Sequence, residues 1–281
     1  MKDRERRARF GPHVIAVVWA VALLLPFAFM LLSSLKGFDE LFEQGKVFPD
    51  RPQWRNYVEI FRKLPFATYF ANTFAICIVA TAGQLVASSM AGYAFARVPF
   101  KGRETLFLVV VATMMIPFQV TMIPLFLGFK GLGLVNPSKA VWGLAPIVLP
   151  QLFATGFNLF LFRQFFRTIP YELDEAAFID GASRWTIYWR IILPLSKPVL
   201  IVVGLFTFFW NWKDLMGPLI YLNDKTNTTV ALGLTYLKDP QHIDWHLIMA
   251  ASAISLVPVV VLFFIGQRHL VKGIALTGLK G

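Results

Sequence analysis

Few residues in this chain have the types and spacing that chemistry needs. His242 and His246 stand four apart with Asp244 between them, a helical metal-ligand spacing, but they follow Pro240 in a loop and lack a third ligand pair. Trp245 beside them reads as a membrane-interface aromatic. No Ser/His/Asp, Cys/His or paired-carboxylate set is arranged for catalysis, and the single Cys77 forms no internal disulfide. No G-x-x-x-x-G-K phosphate loop occurs, because the one Gly-Lys pair, Gly45-Lys46, lacks the upstream glycine. What remains is chemistry of binding. Lys213 and Asp214 are the only charges inside otherwise apolar spans, where each costs roughly 2.5–3.5 kcal/mol on insertion scales. As neighbours on a helix they point apart and do not simply neutralise one another. With Trp210, Asn211 and Trp212 before them and Tyr221 after, they form a candidate solute pathway. The aromatic faces suit sugar C–H surfaces, Asp214 accepts hydroxyl hydrogen bonds, and Lys213 favours an anionic group. The competing structural reading has Lys213 snorkelling outward and Asp214 bonding a partner subunit or the backbone freed by Pro218.

The second candidate is the polar segment Arg163–Lys197, which reads as two short helices and a turn. Pro170 suits a first helical position, and Glu172, Asp174 and Glu175 put negative charge at the positive end of the first helix. Asp180-Gly181 ends it, with Gly181 left-handed. Ser183 caps a second helix through about Ile192, and Pro194 stops that helix. Ala176-Ala177 keeps the first helix thin, so another surface can come close. An acidic-tipped, small-faced hairpin fits a groove on another protein; the plainer alternative is an amphipathic connecting helix.

Both candidates hang on apolar elements. Hydrophobic residues make up 57% of the 281 and charged ones 15%, against roughly 45–50% and 25% in a soluble domain, so the solvent is lipid. Disorder, nucleic-acid binding and a disulfide scaffold are excluded. Apolar stretches long enough to span occur at about 14–35, 68–95, 106–129, 140–162, 198–222 and 247–267, which predicts an all-α membrane domain of six helices over 14–267. No ten-residue alternation suggests a barrel. Residues 1–13, 97–104, 163–197 and 268–281 hold 16 Lys/Arg against 7 Asp/Glu. The opposite segments, 36–67, 130–139 and 223–246, hold 10 against 8. The bias puts the basic head 1–13, the loop 163–197 and the tail 268–281 in the cytoplasm. The first apolar stretch is too long for a signal-peptide core, no A-x-A site follows, and Arg6-Arg7 is a poor twin-arginine match. Pro26, Pro117, Pro124, Pro146, Pro150, Pro218 and Pro258 lie in the spans and are expected to break helices along a moving pathway. Asn72, Gln84, Gln119, Gln151 and Asn158 read as glue between helices.

Glu175-Ala176-Ala177, then Asp180-Gly181-Ala182, then Ile192-Leu193-Pro194, resembles the EAA loop of the membrane subunits of bacterial ABC importers. Met122-Ile123-Pro124-Leu125-Phe126, Gly217-Pro218-Leu219-Ile220-Tyr221-Leu222 and the C-terminal Gly278-Leu279-Lys280-Gly281 narrow the resemblance to the second permease of carbohydrate importers, the maltose and glycerol-3-phosphate type. It covers nearly the whole chain. It implies a permease that carries no ATP site, pairs with a different permease, and binds a dimer of cytoplasmic ATPases, which use the ATP and Mg2+. It also implies an extracytoplasmic solute-binding protein and a bacterial-type inner membrane. By the same resemblance Glu172, Asp174, Glu175, Ala176, Ala177, Asp180, Gly181, Ala182, Leu193 and Pro194 couple to an ATPase, and Gly278 to Gly281 reach the ATPase interface. The family commonly has Asn before the Asp of span five; here that place holds Lys213, which puts a neutral sugar in doubt. A permease for a polyamine or other non-sugar solute is the alternative, although Lys213 disfavours a cation. An ion-coupled secondary carrier would have only Lys213 and Asp214 to work with, and a membrane enzyme lacks an acid/base or metal site.

Overall fold

The computed structural model describes residues 2–135, 143–238 and 243–278, with side chains described between 12 and 268. The chain is built of helices: α1 (Lys2–Ser34), α2 (Arg55–Lys63), α3 (Phe66–Arg97), α4 (Arg103–Ala112), α5 (Phe118–Gly131), α6 (Gly156–Thr168), α7 (Glu172–Ile179), α8 (Arg184–Ile187), α9 (Lys197–Trp212), α10 (Met216–Tyr221) and α11 (Trp245–Gly278). Shorter helical turns join them. Among the described residues the only extended pairing is an isolated bridge between Lys238 and Ile243.

Among the described residues four stretches are long and apolar enough to cross a membrane: Pro12–Ser34, Phe66–Arg97, Ala145–Thr168 and Trp245–Arg268. Six are reached if each of two bent pairs is one span. In the first pair Arg103–Met115 meets Phe118–Gly131 at 94°; in the second Arg184–Leu195 meets Lys197–Trp212 at 78°. Continuous third and fifth spans are thus corrected. The third bends at Ile116-Pro117, where proline forces the preceding residue into extended backbone. The fifth stops at Trp212, and α10 begins only at Met216, so Lys213 and Asp214 lie in a gap between helices. The start of the expected fourth span, 140–142, lies outside the described residues.

The expectation that every proline breaks its helix is also corrected. Pro26 and Pro258 sit inside uninterrupted helices, and Pro146 and Pro150 occupy first turns, where a missing N–H leaves no bond unmade. Only Pro117 stands at the sharp bend. Pro194 does not stop the hairpin's second arm. The helix passes through a wide turn of π type at Tyr188–Ile192 and runs on to Leu195 before turning at Ser196. A wider turn makes room for a ring that would otherwise press on the carbonyl four residues back.

The chain divides into two compact units. The first, residues 1–66 and 233–258, is stitched by polar contacts beyond the end of α1. Asn56 donates to the carbonyls of Ser34 and Lys36, both at 2.9 Å, and the Ser34 and Tyr57 hydroxyls meet at 2.7 Å. Lys46 gathers Glu40 (3.2 Å), Glu43 (2.9 Å) and Asp50. Glu40 accepts the Asp50 N–H at 2.5 Å, which holds its carboxyl below the usual range.

In the second unit, residues 67–232 and 259–281, α3 is the element that others pack on. A Cβ on Gly92 would stand 2.6 Å from Phe162 Cβ on α6, and one on Gly83 would stand 3.0 Å from the Leu152 Cα. Bare backbone there lets the helices close. At the same level Gln84 is fully buried. Its Oε1 accepts from Ser88, Thr155 and Asn158, and its Nε2 donates to the Phe153 carbonyl at 2.7 Å. Asn158 also reaches Thr207 on α9 at 3.3 Å. Gln84 and Asn158 therefore tie helices together, as buried amides do in apolar surroundings.

Candidate functional site

The hairpin forms as its residues require. Glu172, Asp174 and Glu175 fill the first turn of α7. Its end is closed by two carbonyl-satisfying bonds, Gly181 N–H to Phe178 O at 3.0 Å and Ala182 N–H to Ala177 O at 2.8 Å. This closure needs a left-handed residue, and Gly181 has φ +78°. Ser183 then caps α8, accepting the Thr186 N–H at 3.2 Å.

Five of the expected coupling residues are exposed: Glu172, Glu175, Ala176, Asp180 and Gly181. Pro194 is exposed as well, while Ala182 and Leu193 are half-buried. Asp174 and Ala177 face the other way, which corrects the outward acidic tip. Ala177 packs in a cluster with Tyr93, Phe162, Phe166, Ile187, Tyr188 and Ile192. Asp174 Oδ2 lies 3.4 Å from Arg97 Nη1, and the two side chains are 3% and 4% exposed. A carboxylate left alone at that depth would carry a heavy desolvation penalty, which the Arg97 guanidinium offsets. Burial pushes the Asp174 carboxyl up, against the pull of Arg97 and Arg184.

Arg97 is the residue that sequence reasoning missed. Standing at the end of α3, it donates to the Phe166 carbonyl at 2.6 Å and to the Ile169 carbonyl, closing the end of α6. Arg184 of α8 donates back to the Arg97 carbonyl at 3.4 Å, and the Tyr93 hydroxyl reaches the Arg184 carbonyl at 3.0 Å. Further along, the buried Tyr188 hydroxyl meets Ser89 Oγ of α3 at 2.7 Å. The signal was available: Arg97 is the first charge after the run from Pro65 to Ala96. The hairpin is thereby fastened to the ends of α3 and α6. Its free side carries Leu173, Phe178, Ile179 and Trp185, with Ile179 87% exposed.

The second candidate divides. Trp212 is buried against Phe70, Phe74 and Phe208, stacked on Phe208 at 5.6 Å. Asn211 donates to the Thr207 carbonyl of its own helix at 2.8 Å, and Tyr221 packs on Phe126 and Phe129. These three are turned into the chain: the turn that exposes Trp210 points Asn211 and Trp212 inward. Trp210, 66% exposed, and Lys213 remain on the open side, with the ammonium 5.1 Å from the Trp210 ring centroid. Asp214 Oδ1 accepts the N–H groups of Met216 (3.1 Å) and Gly217 (3.2 Å), capping the start of α10. Gly217 has no room for a side chain, since a Cβ would stand 2.5 Å from Asp214 Oδ2.

Of the remaining expectations, Asp244 pairs with Lys63 at 2.8 Å, and His242 lies outside the described residues. No three His, Cys, Asp or Glu cluster for a metal among the described residues. Gly278 ends α11, and Leu279, Lys280 and Gly281 lie outside the described residues.

Comparison with known proteins places this architecture. Residues 84–276 match the family model described as binding-protein-dependent transport system inner membrane component. The arabinooligosaccharides transport system permease protein AraQ of Halalkalibacterium halodurans is 34% identical, over 93% of this chain and 93% of its own. The probable starch degradation products transport system permease protein AmyC of Thermoanaerobacterium thermosulfurigenes is 33% identical, over 95% of each. Among solved structures, a chain of a bacterial ABC transporter involved in the import of the acidic polysaccharide alginate superposes with a TM-score of 0.80 at 21% identity, covering 94% of this chain and 97% of that one. A chain of the alginate transporter in complex with its alginate pentasaccharide-bound periplasmic protein gives 0.66 at 18%, covering 95% of each. At those identities the likeness carries the fold alone. The family model and the relatives carry more: the chain belongs to the binding-protein-dependent transport system inner membrane components, multi-pass permease subunits of ABC transporters.

Proposed function

We propose that this chain forms half of the translocation pathway of an ABC importer for a carbohydrate. A second, different permease supplies the other half, a dimer of cytoplasmic ATPases hydrolyses the ATP, and an extracytoplasmic binding protein delivers the solute. The relatives transport arabinooligosaccharides and starch degradation products by name, and a structural neighbour imports alginate. On this reading the partner subunits, not this chain, take up the ATP, and the charge bias supports cytoplasmic termini.

The observation that carries this reading is the hairpin. It presents an open apolar face while its other side is fastened through Arg97, Tyr93 and Ser89 to α3. A body built so passes displacement at its exposed face to the helices, where bistable packing amplifies it. Glu172, Glu175, Ala176, Asp180, Gly181, Ala182, Leu193 and Pro194 meet the ATPase, with Asp174 and Ala177 holding the hairpin from behind. The resemblance assigns Gly278 to Gly281 to the same ATPases. Purification from the native membrane in mild detergent tests this: an ATPase and a second permease should accompany the chain. A homo-oligomer without an ATPase contradicts it. In the reconstituted complex Gly181→Asp should insert normally and hydrolyse ATP without transport; full transport by that variant contradicts the coupling role.

A further inference from the structure

The open face of α9 has a composition that lipid alone does not ask for. Phe206, Trp210 and Lys213 follow one another at helical spacing, and all three are exposed. The exposed aromatic surface ends in a cation at the point where the helix breaks. Among the described residues no carboxylate pairs with Lys213. Asp214, its neighbour, spends one carboxylate oxygen on the N–H groups of Met216 and Gly217. Among the described residues the contact shown for the Lys213 ammonium is the Trp210 ring, 5.1 Å from its centroid. A snorkelling lysine reaches past the helix end toward water. This one lies back over a residue three positions earlier, which keeps its charge beside the aromatic face.

An aromatic ring and an ammonium together make a recognition pair. The ring takes the C–H face of a pyranose, and the ammonium takes an anion through a charge-assisted hydrogen bond, about twice as strong as a neutral one. A neutral sugar has no use for the cation. Building on the carbohydrate reading above, we propose that Lys213 is the specificity residue of the pathway and selects saccharides carrying a carboxylate, while Trp210 stacks on the adjoining ring.

The test uses the whole transporter, reconstituted in proteoliposomes with its native partner subunits and binding protein. Uptake of mannuronate oligosaccharides is compared with that of mannose oligosaccharides of the same length, for the native chain, Lys213→Gln and Lys213→Arg. The binding protein is the same throughout, so its own preference cancels in the ratio of variant to native. Expected is a loss of about tenfold or more in acidic-saccharide uptake by Lys213→Gln, neutral uptake unchanged wherever it occurs, and recovery in Lys213→Arg. Complex yield should stay at the native level, so that the loss reads transport and not assembly. Carriage of neutral saccharides only, or an equal effect on both classes, overturns the inference and leaves the carbohydrate reading intact. Loss of complex assembly in Lys213→Gln, restored by neutralising a carboxylate of the paired permease, makes that carboxylate the counter-ion and overturns it too. If the intact complex carries neither saccharide, the carbohydrate reading falls and the inference with it.

Discussion

Arg97 and Asp174 are 77 positions apart in the chain and meet at 3.4 Å, each almost wholly buried, where α3, α6 and the hairpin converge. The pair joins the exposed hairpin to the membrane body. Breaking a buried pair by removing one partner costs about 3–5 kcal/mol, because the other charge is left stranded. Arg97→Met, which also abandons the carbonyls of Phe166 and Ile169, is expected to lower thermal stability of the purified complex by that order. A melt unchanged within about 1 kcal/mol rejects the fastening.

Close helix approach gives a contrast between two glycines. Gly92→Ala drives a Cβ to 2.6 Å from Phe162 Cβ, against a backbone that cannot give way, and should destabilise by about 1–3 kcal/mol. Gly204→Ala meets only ordinary contacts, 3.7 Å to Thr81 and 3.8 Å to Leu85, and should be neutral or stabilising by up to about 1 kcal/mol. Detergent thermal melts of both variants read the difference directly.

Asp214 acts as a cap, so its loss is local. Asp214→Ala should cost about 1 kcal/mol and loosen α10, while Asp214→Asn and Asp214→Ser retain an acceptor and most of the stability. Hydrogen exchange at the Met216 and Gly217 amides measures this. Equal protection in Asp214→Ala and the native chain would show that the cap does nothing.

The loop around Lys46 should respond to acid. The Asp50 N–H holds the Glu40 carboxyl below its usual value, so the folded form favours the ionised group. That stability is fully present above the unfolded value of about 4.3 and is lost as pH falls through the lower folded value. Protection of the Asp50 amide should therefore persist at neutral pH and decline below about pH 4. In Glu40→Gln the pH dependence should vanish; a decline that persists there assigns it to another group.

How much of this was legible in the sequence follows from what carries local signal. The turn at Gly181 and the cap at Ser183 depend on residues within a few positions of each other, and both stand where expected. Facing does not. A span that is apolar all round carries no amphipathic stripe, so nothing distinguished exposed Trp210 from buried Trp212 two positions on. The role of Arg97 needed a partner on another helix. Proline is an ambiguous mark: Pro117 breaks its helix and Pro258 sits inside a continuous one.

The claim that the exposed hairpin face meets an ATPase is tested most directly by cross-linking from Ile179, the most exposed large hydrophobic residue of α7. Cys77 is the only native cysteine and is buried, so Ile179→Cys adds a single accessible thiol. In native membranes a short reagent with a maleimide at one end and a photoactivated group at the other should join it to the cytoplasmic ATPase, with the yield changing when ATP binds. Labelling of Ile179→Cys by a small maleimide, with no ATPase adduct in either nucleotide state, would contradict the account.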